Sequence, residues 1–196
     1  MRKTLVLVTL AVLARFAAPA GDFRFAIVGD RTGEANAAVF EQIWREIGRL
    51  RPAFAINVGD TIQGGDDVRA EAEWREAARA WSRFAFPRYF TPGNHDIWND
   101  LSRRLYERET GRPPSYSFDY EGAHFTVLDN SSGTELSAEQ LDFLERDLAA
   151  HRDRDPKFVF FHKPFWLVFL KLGSGEFPLH RLARKYGVDA IVSGHG

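Results

Sequence analysis

The sequence predicts an α/β fold, a sheet with helices on its outside, and three observations carry the prediction. Short apolar runs rich in Val, Ile and Phe alternate with segments of helical period through most of the chain. Five of those runs end in residues that bind hard or borderline metal ions. Glycine precedes four of these ends (Asp30, Asp60, Asn94 and His195), which suits a strand that must turn sharply beneath a ligand.

Residues 23–29 form the first run and reach Asp30. Residues 36–50 place Val39, Phe40, Ile43, Ile47 and Leu50 on one helical face. A second strand at 54–59 ends at Asp60, and a polar turn at 63–67 leads to an Ala/Glu/Arg-rich helix near 68–84, marked by Trp74 and Trp81. The third strand, 88–93, runs into Asn94, His95 and Asp96, and a helix around 101–109 stops at the Gly111-to-Pro114 break. Residues 115–120 and 124–128 are two strands of a hairpin turning at Glu121-Gly122. Ser137 and Gln140, three apart, are a capping box for a helix to about Ala150, striped by Leu141, Leu144 and Leu148. Residues 157–161 end at His162. An irregular, strongly apolar stretch at 165–172 reads as core, a helix follows at 178–186, and the strand 190–194 ends at His195. No internal repeat or low-complexity linker divides the chain, so one domain is expected.

With 196 residues, 44% hydrophobic and 27% charged, the chain is ordinary for a soluble globular protein with a sizeable core. The first twenty residues differ: Arg2 and Lys3, an apolar stretch from Leu5 to Leu13, then Ala18-Pro19-Ala20. This is the layout of a secretory signal peptide, and the stretch is far short of the ~20 residues that span a bilayer. The expectation is a leader at 1–20, export to the periplasm or beyond, and a functional domain at 21–196. Without Arg2, Lys3 and Arg15, 23 basic residues face 27 acidic ones, a net charge of −4. No basic excess remains to hold nucleic acid by general electrostatics, and no membrane partner is indicated. The chain has no cysteine, so disulfides and thiolate ligands are excluded. Metal ligands here are oxygen and imidazole, which suits Zn, Mn, Fe or Mg.

In an open α/β sheet, ligands bind beyond the carboxyl ends of the strands, so donors at five strand ends converge on one spot. Such a set supports hydrolysis at a metal pair ~3.5–4 Å apart that shares a carboxylate and activates a water. His95 is the candidate proton donor, with Asp96 beside it to orient or polarise the ring, and Asn94 is the ligand.

The blocks Gly29-Asp30, Gly59-Asp60, Gly93-Asn94-His95-Asp96, His162-Lys163-Pro164 and Gly194-His195 resemble those of the calcineurin-like metallophosphoesterases, the superfamily that includes the purple acid phosphatases. The resemblance spans nearly all of 22–196, and Gly-Asn-His-Asp is its most specific block. It implies a four-layer α/β/β/α sandwich and a hydrolase with two divalent metal ions, Zn, Mn or Fe. The implied substrate is a small-molecule or macromolecular phosphate monoester or diester, attacked by a metal-activated water. It also implies that Asp60 bridges the metals. Asn94, His162 and His195 complete one site, Asp30 belongs to the other, and His95 is the proton donor or phosphate stabiliser.

Two departures bear on that reading. Thr32 stands where the family's first block has a histidine ligand, and Gln63 stands where purple acid phosphatases supply a tyrosine. Arg31 is the candidate to meet a substrate phosphate with its planar fork. The sequence also stops at Gly196, one residue before the second histidine of Gly-His-x-His. The C-terminal strands of the second sheet are therefore expected to be missing, the second metal site keeps Asp30 and Asp60, and the fragment by itself is expected to be inactive. Two alternatives stand beside the phosphoesterase: a non-catalytic metal- or phosphate-binding protein on the same fold, and a nuclease of the superfamily, which the net charge of −4 disfavours. His124, His151 and His180 read as structural. Asp129-Asn130, at the same edge as the site, reads as a turn, with support of the ligands as the alternative, and Trp98 and Trp166 read as core or pocket wall.

Overall fold

A computed structural model describes residues 21–33, 35–171 and 177–195 of the chain. The expected leader, residues 1–20, lies outside the described residues.

Two sheets stack face to face. The first is parallel, in the order β1 (Phe25–Val28), β2 (Phe54–Asn57), β3 (Arg88–Phe90). The second contains β4 (Tyr116–Tyr120), β5 (Ala123–Val127), β6 (Lys157–Phe160) and β7 (Ala190–Val192) in that order. In it β4 and β5 are the antiparallel hairpin, and β5, β6 and β7 run parallel.

The period-2 alternation of each strand sorts its side chains into layers. Phe54, Ile56 and Val58 pack between the sheets against Tyr116, Phe125, Val127 and Phe160. This inner layer is largely aromatic, with Phe25 stacked on Phe54 at 5.1 Å and Phe125 on Phe158 at 4.9 Å. On the outer face of the first sheet, Val28, Ala55 and Phe90 meet helices α1 (Ala37–Leu50), α2 (Ala70–Trp81) and α3 (Asp100–Thr110). On the outer face of the second, Leu128, Val159 and Phe161 meet α4 (Ala138–Ala150) and α6 (Pro178–Tyr186). Three successive hydrophobic layers thus separate four layers of secondary structure, the expected α/β/β/α sandwich. The apolar stretch after His162 forms a short helix, α5 (Trp166–Lys171).

Two local expectations are corrected. In α1 the buried stripe is Phe40, Trp44 and Ile47, whereas Val39, Ile43 and Leu50 are 54%, 39% and 65% exposed. Trp44 sets the rotation: it inserts against Trp81 and Phe86, turning the flanking aliphatics outward beside the edge strand β1. In α4 only half the capping box forms. Ser137 accepts from the Gln140 backbone N–H, but the Gln140 amide oxygen accepts instead from Asp129 N and Ser115 Oγ. The complete box is at α3, where Asn99 and Ser102 cap each other reciprocally.

Candidate metal centre

The six parallel strands, β1 to β3 of one sheet and β5 to β7 of the other, end on the same side, and their following loops meet there. Backbone bonds tie the loops in pairs: Asp30 N to Gly59 O, Arg31 N to Asp60 O, and Gly194 N to His162 O. Close approach is what the glycines provide. Gly59 has φ +106°, and a Cβ there would collide with the His162 ring. A Cβ on Gly93 would collide with the Asp60 carboxylate and backbone nitrogen.

Asp60, His162 and His195 each present a ligand atom within 4.8 Å of the others. His162 is fully buried, with Nε2 3.2 Å from Asp60 Oδ1 and 3.1 Å from His195 Nδ1. Its Nδ1 donates to the Val58 carbonyl at 2.9 Å, which aims Nε2 at the centre. Asn94 adds an oxygen: its Oδ1 is buried and has no hydrogen-bond partner in the protein, as an atom reserved for a cation would be. Two imidazoles and two oxygens form a donor set suited to zinc or a similar divalent ion, so these residues fit a metal. Asp30 lies on the other flank, with Oδ1 3.8 Å from His162 Nδ1.

Electrostatics match this reading. Burial alone would raise the Asp60 carboxyl, but the hydrogen bond and charge of His162 and the His95 N–H hold it below the ordinary range. Burial would lower His162, yet Asp60 and the Val58 carbonyl raise it. For His195, burial and then the neighbouring charge of His162 lower the imidazole. Asp30, Asp60 and His195 also share an unusual backbone, with φ of 37°, 53° and 62°. Among the described residues, the other two positive-φ residues besides glycine, Arg51 and Glu121, end a helix and turn a hairpin. Three left-handed non-glycine residues at the joined strand ends single this region out as the candidate site.

Three expected positions turn out differently. Asp96 does not touch the His95 ring. It is fully buried and accepts from Gly93 N, Thr61 N and Ile62 N, so the loop backbone claims its oxygens. Burial, partly offset by these donors, raises its carboxyl to about 7. Arg31 turns from the centre to pair with Glu76 of α2 and lies 5.2 Å over the Phe40 ring. Gln63 is exposed, and its backbone carbonyl holds His95 Nδ1, leaving Nε2 as the nitrogen that faces outward. Arg31, Gln63, Arg69, Glu73 and Glu76 line a polar cleft of about 710 Å³ beside the centre.

Sequence reasoning read Asn130 as a turn. Its Oδ1 accepts from the backbone N–H of both His162 and Lys163 and its Nδ2 donates to Lys163 O, which fixes the loop that carries His162. The signal available was its place at the end of an apolar strand run on the same edge.

A second cluster lies away from the centre. His124 of β5, fully buried, has Nδ1 2.7 Å from Asp119 and Nε2 2.9 Å from Asp147 of α4. Asp147 also accepts from Ser117 Oγ and Thr126 Oγ1 and lies 3.3 Å from His151 Nδ1, and Arg154 pairs with Asp119. The His124 and His151 rings stack at 3.9 Å and 17°, so their in-plane lone pairs run side by side and do not converge on an ion. Carboxylates at both nitrogens favour the imidazolium form of His124. The hydrogen bonds outweigh burial and raise its pKa.

A model of the calcineurin-like phosphoesterase family matches residues 23–196. Among curated proteins, the chain is 29% identical over 140 residues to purple acid phosphatase 15 of Arabidopsis thaliana, an alignment covering 68% of this chain and 23% of that protein. A purple acid phosphatase from yellow lupin (Lupinus luteus) seeds matches the fold with a TM-score of 0.66 at 18% identity, over 91% of this chain and 38% of that one. A dimetal phosphatase from Danio rerio matches with a TM-score of 0.61 at 13% identity, over 91% of this chain and 82% of that one. The chain therefore spans under a quarter of the curated relative's length.

Proposed function

The chain belongs to the calcineurin-like phosphoesterase family, and on that premise we propose that it hydrolyses phosphate monoesters or diesters at a binuclear metal centre bridged by Asp60. The observation that carries the proposal is the convergence of Asp60, His162 and His195 ligand atoms at the joined strand ends, with a buried, unpartnered Asn94 oxygen on the turn whose Gly93 and His95 approach Asp60. Asn94, His162 and His195 would hold one divalent ion with Asp60, and Asp30 would serve the other. Zn, Mn and Fe all suit these donors. Bound there, the ions supply Lewis acidity that acidifies a water and neutralises charge on the phosphoryl oxygens.

The chain's own residues do the rest. Asp60 brings a carboxylate already held ionised, and the Val58 carbonyl fixes the His162 tautomer. With Nδ1 committed to the Gln63 carbonyl, His95 delivers a proton from Nε2 to the leaving oxygen. Asp96 acts through the backbone, holding the 93–96 turn against the 60–62 loop so that Asn94 and His95 face the centre. The substrate's leaving group enters the polar cleft beside Arg31 and Gln63. Residues 1–20 act as an export leader on this proposal, which puts the hydrolase in the periplasm or outside the cell.

Two variants of the full chain test it, with metal content and hydrolysis of an aryl phosphate and a bis-aryl phosphodiester as readouts. His95→Ala is expected to keep metal and lose turnover by ~10²–10⁴-fold. Asp60→Asn is expected to lose metal. Equal metal loss in both would refute the division of roles, and a metal-loaded wild type inert on both esters would refute the hydrolase. The Arg31–Glu76 pairing favours a second reading, a metal- or phosphate-binding protein without turnover, because it holds the one expected phosphate-binding guanidinium away from the centre.

A further inference from the structure

The net charge of −4 over residues 21–196 is spread unevenly. Arginines collect where β1 and β2 begin, at the end of these strands opposite the candidate metal centre. Arg45, Arg49 and the C-cap Arg51 of α1 share a depression of about 440 Å³ with Arg83 and Phe84, which lie between α2 and β3. Arg51 also borders a second depression, of about 550 Å³, with Arg24 and Phe23 just ahead of β1. All five arginines are exposed. Arg45 meets Glu41 at 3.5 Å, and the other four form no ion pair among the described residues. Asp22 is the one acid that lines either depression. The carbonyls at the end of α1 attract a cation or two, but Arg24 and Arg83 come from other segments. Like charges gathered in this way oppose folding, and a partner of opposite charge accounts for them.

Two features of this face favour a lipid surface over a soluble polyanion. Leu50, between Arg49 and Arg51 in the chain, is 65% exposed. An apolar side chain flanked by guanidinium groups suits the boundary between phosphate headgroups and acyl chains. The chain also enters the fold here: Gly21 N donates to Glu121 O, and Asp22, Phe23 and Arg24 line the second depression. The apolar stretch from Leu5 to Leu13 is thus joined to the same face.

We propose that this arginine face docks onto a membrane surface bearing anionic lipids, with guanidinium groups on the lipid phosphates and Leu50 at the acyl boundary. Arginine forks match phosphate oxygens in pairs. The strand ends that carry Asp60 and Asn94 then face away from the lipid, open to soluble molecules. The low net charge of the chain hides this surface, because its acids lie elsewhere. The inference does not depend on the proposed hydrolysis.

The test is co-sedimentation of the full chain with vesicles of phosphatidylcholine alone, or of an equal mixture with phosphatidylglycerol. Each arginine at an anionic surface contributes roughly fivefold in partition. The wild type is expected to bind the mixed vesicles at least ~100-fold more tightly at about 0.05 M salt and to lose that preference at about 0.5 M. Replacing Arg45, Arg49, Arg51 and Arg83 together by Gln is expected to weaken binding to the mixed vesicles by ~100-fold or more. Lysine at the same four positions is expected to restore it to within ~10-fold. Residues 1–20 are present in every variant, so the differences report the arginine face. Circular dichroism checks folding. Should the fourfold Gln variant fail to fold, Arg49→Gln with Arg83→Gln carries the expectation of a ~10–30-fold loss. Equal binding to both vesicles, a folded Gln variant that binds like the wild type, or tighter binding to heparin or duplex DNA than to the mixed vesicles would each overturn the proposal.

Discussion

Replacing His124 with phenylalanine keeps a flat ring between the second sheet and α4 but removes the cation that joins two carboxylates. The ring is fully buried, with 2.7 Å and 2.9 Å contacts to Asp119 and Asp147. Asp147 keeps the hydroxyls of Ser117 and Thr126, and Asp119 keeps Arg154. Removing one partner of a buried ion pair costs about 3–5 kcal/mol, because the remaining charge is left without compensation. For a chain of this size that corresponds to a melting temperature lower by roughly 6–20 °C. The pH dependence identifies the charge as the cause. The pKa of His124 is raised above its ordinary 6.5 on folding, so its contribution is complete below that value and is lost as pH rises through the folded value. Asp147 is lowered from 3.8, so its contribution is present above that value and lost as pH falls through the folded one. Urea unfolding of wild type and His124→Phe at about pH 6 and about pH 9 is the assay. The stability gap is expected to be larger at the lower pH than at the higher one, because the His124 contribution is lost as pH rises through its raised folded pKa. A gap of equal size at both would mean that the ring carries no proton charge and that the cost is packing alone.

Two further perturbations probe how the centre is held. Asn130→Ala leaves the His162 and Lys163 backbone N–H groups without their shared acceptor; it is expected to cost about 1–3 kcal/mol in denaturant unfolding and ~10–100-fold in metal affinity by calorimetry. Unchanged affinity would show that the His162 loop holds its place without Asn130. Gly93→Ala drives a methyl against Asp60 and is expected to weaken metal binding at least ~10-fold while costing about 1–3 kcal/mol of stability. Wild-type binding in that variant would mean that the 93–96 turn yields easily.

Much of this architecture can be read along the chain. The strands and the donor residues at their ends were legible because both signals are local: an apolar run of period 2, then a glycine and a donor, within about eight residues. What was not legible depends on partners distant in sequence. The rotation of α1 was ambiguous because its apolar residues cover more than one face, and only docking of Trp44 against Trp81 selects Phe40 and Ile47 as the buried neighbours. Asp96 beside His95 suggested a side-chain pair, yet three backbone N–H groups claim the carboxylate once the loops fold together. The Asp119–His124–Asp147 bridge joins residues 5 and 23 positions apart on three elements, and no local pattern announces it. Arg31 was legible as a cation near the centre, but its engagement with Glu76, 45 residues away, was not.

The left-handed backbone of Asp30, Asp60 and His195 gives the fold a history as well as a function. A side chain in that conformation costs on the order of 1 kcal/mol, and the cost is least for glycine and small polar residues. Mutation toward glycine at these positions relaxes the metal-free chain, so drift without selection runs from ligands to turns. A copy released from its chemical task would lose donors first and keep its sheets, helices and aromatic middle layer intact. Such a scaffold can therefore outlive an activity, and the donor residues still present at these strained positions are a sensitive record of whether a chemistry is under selection.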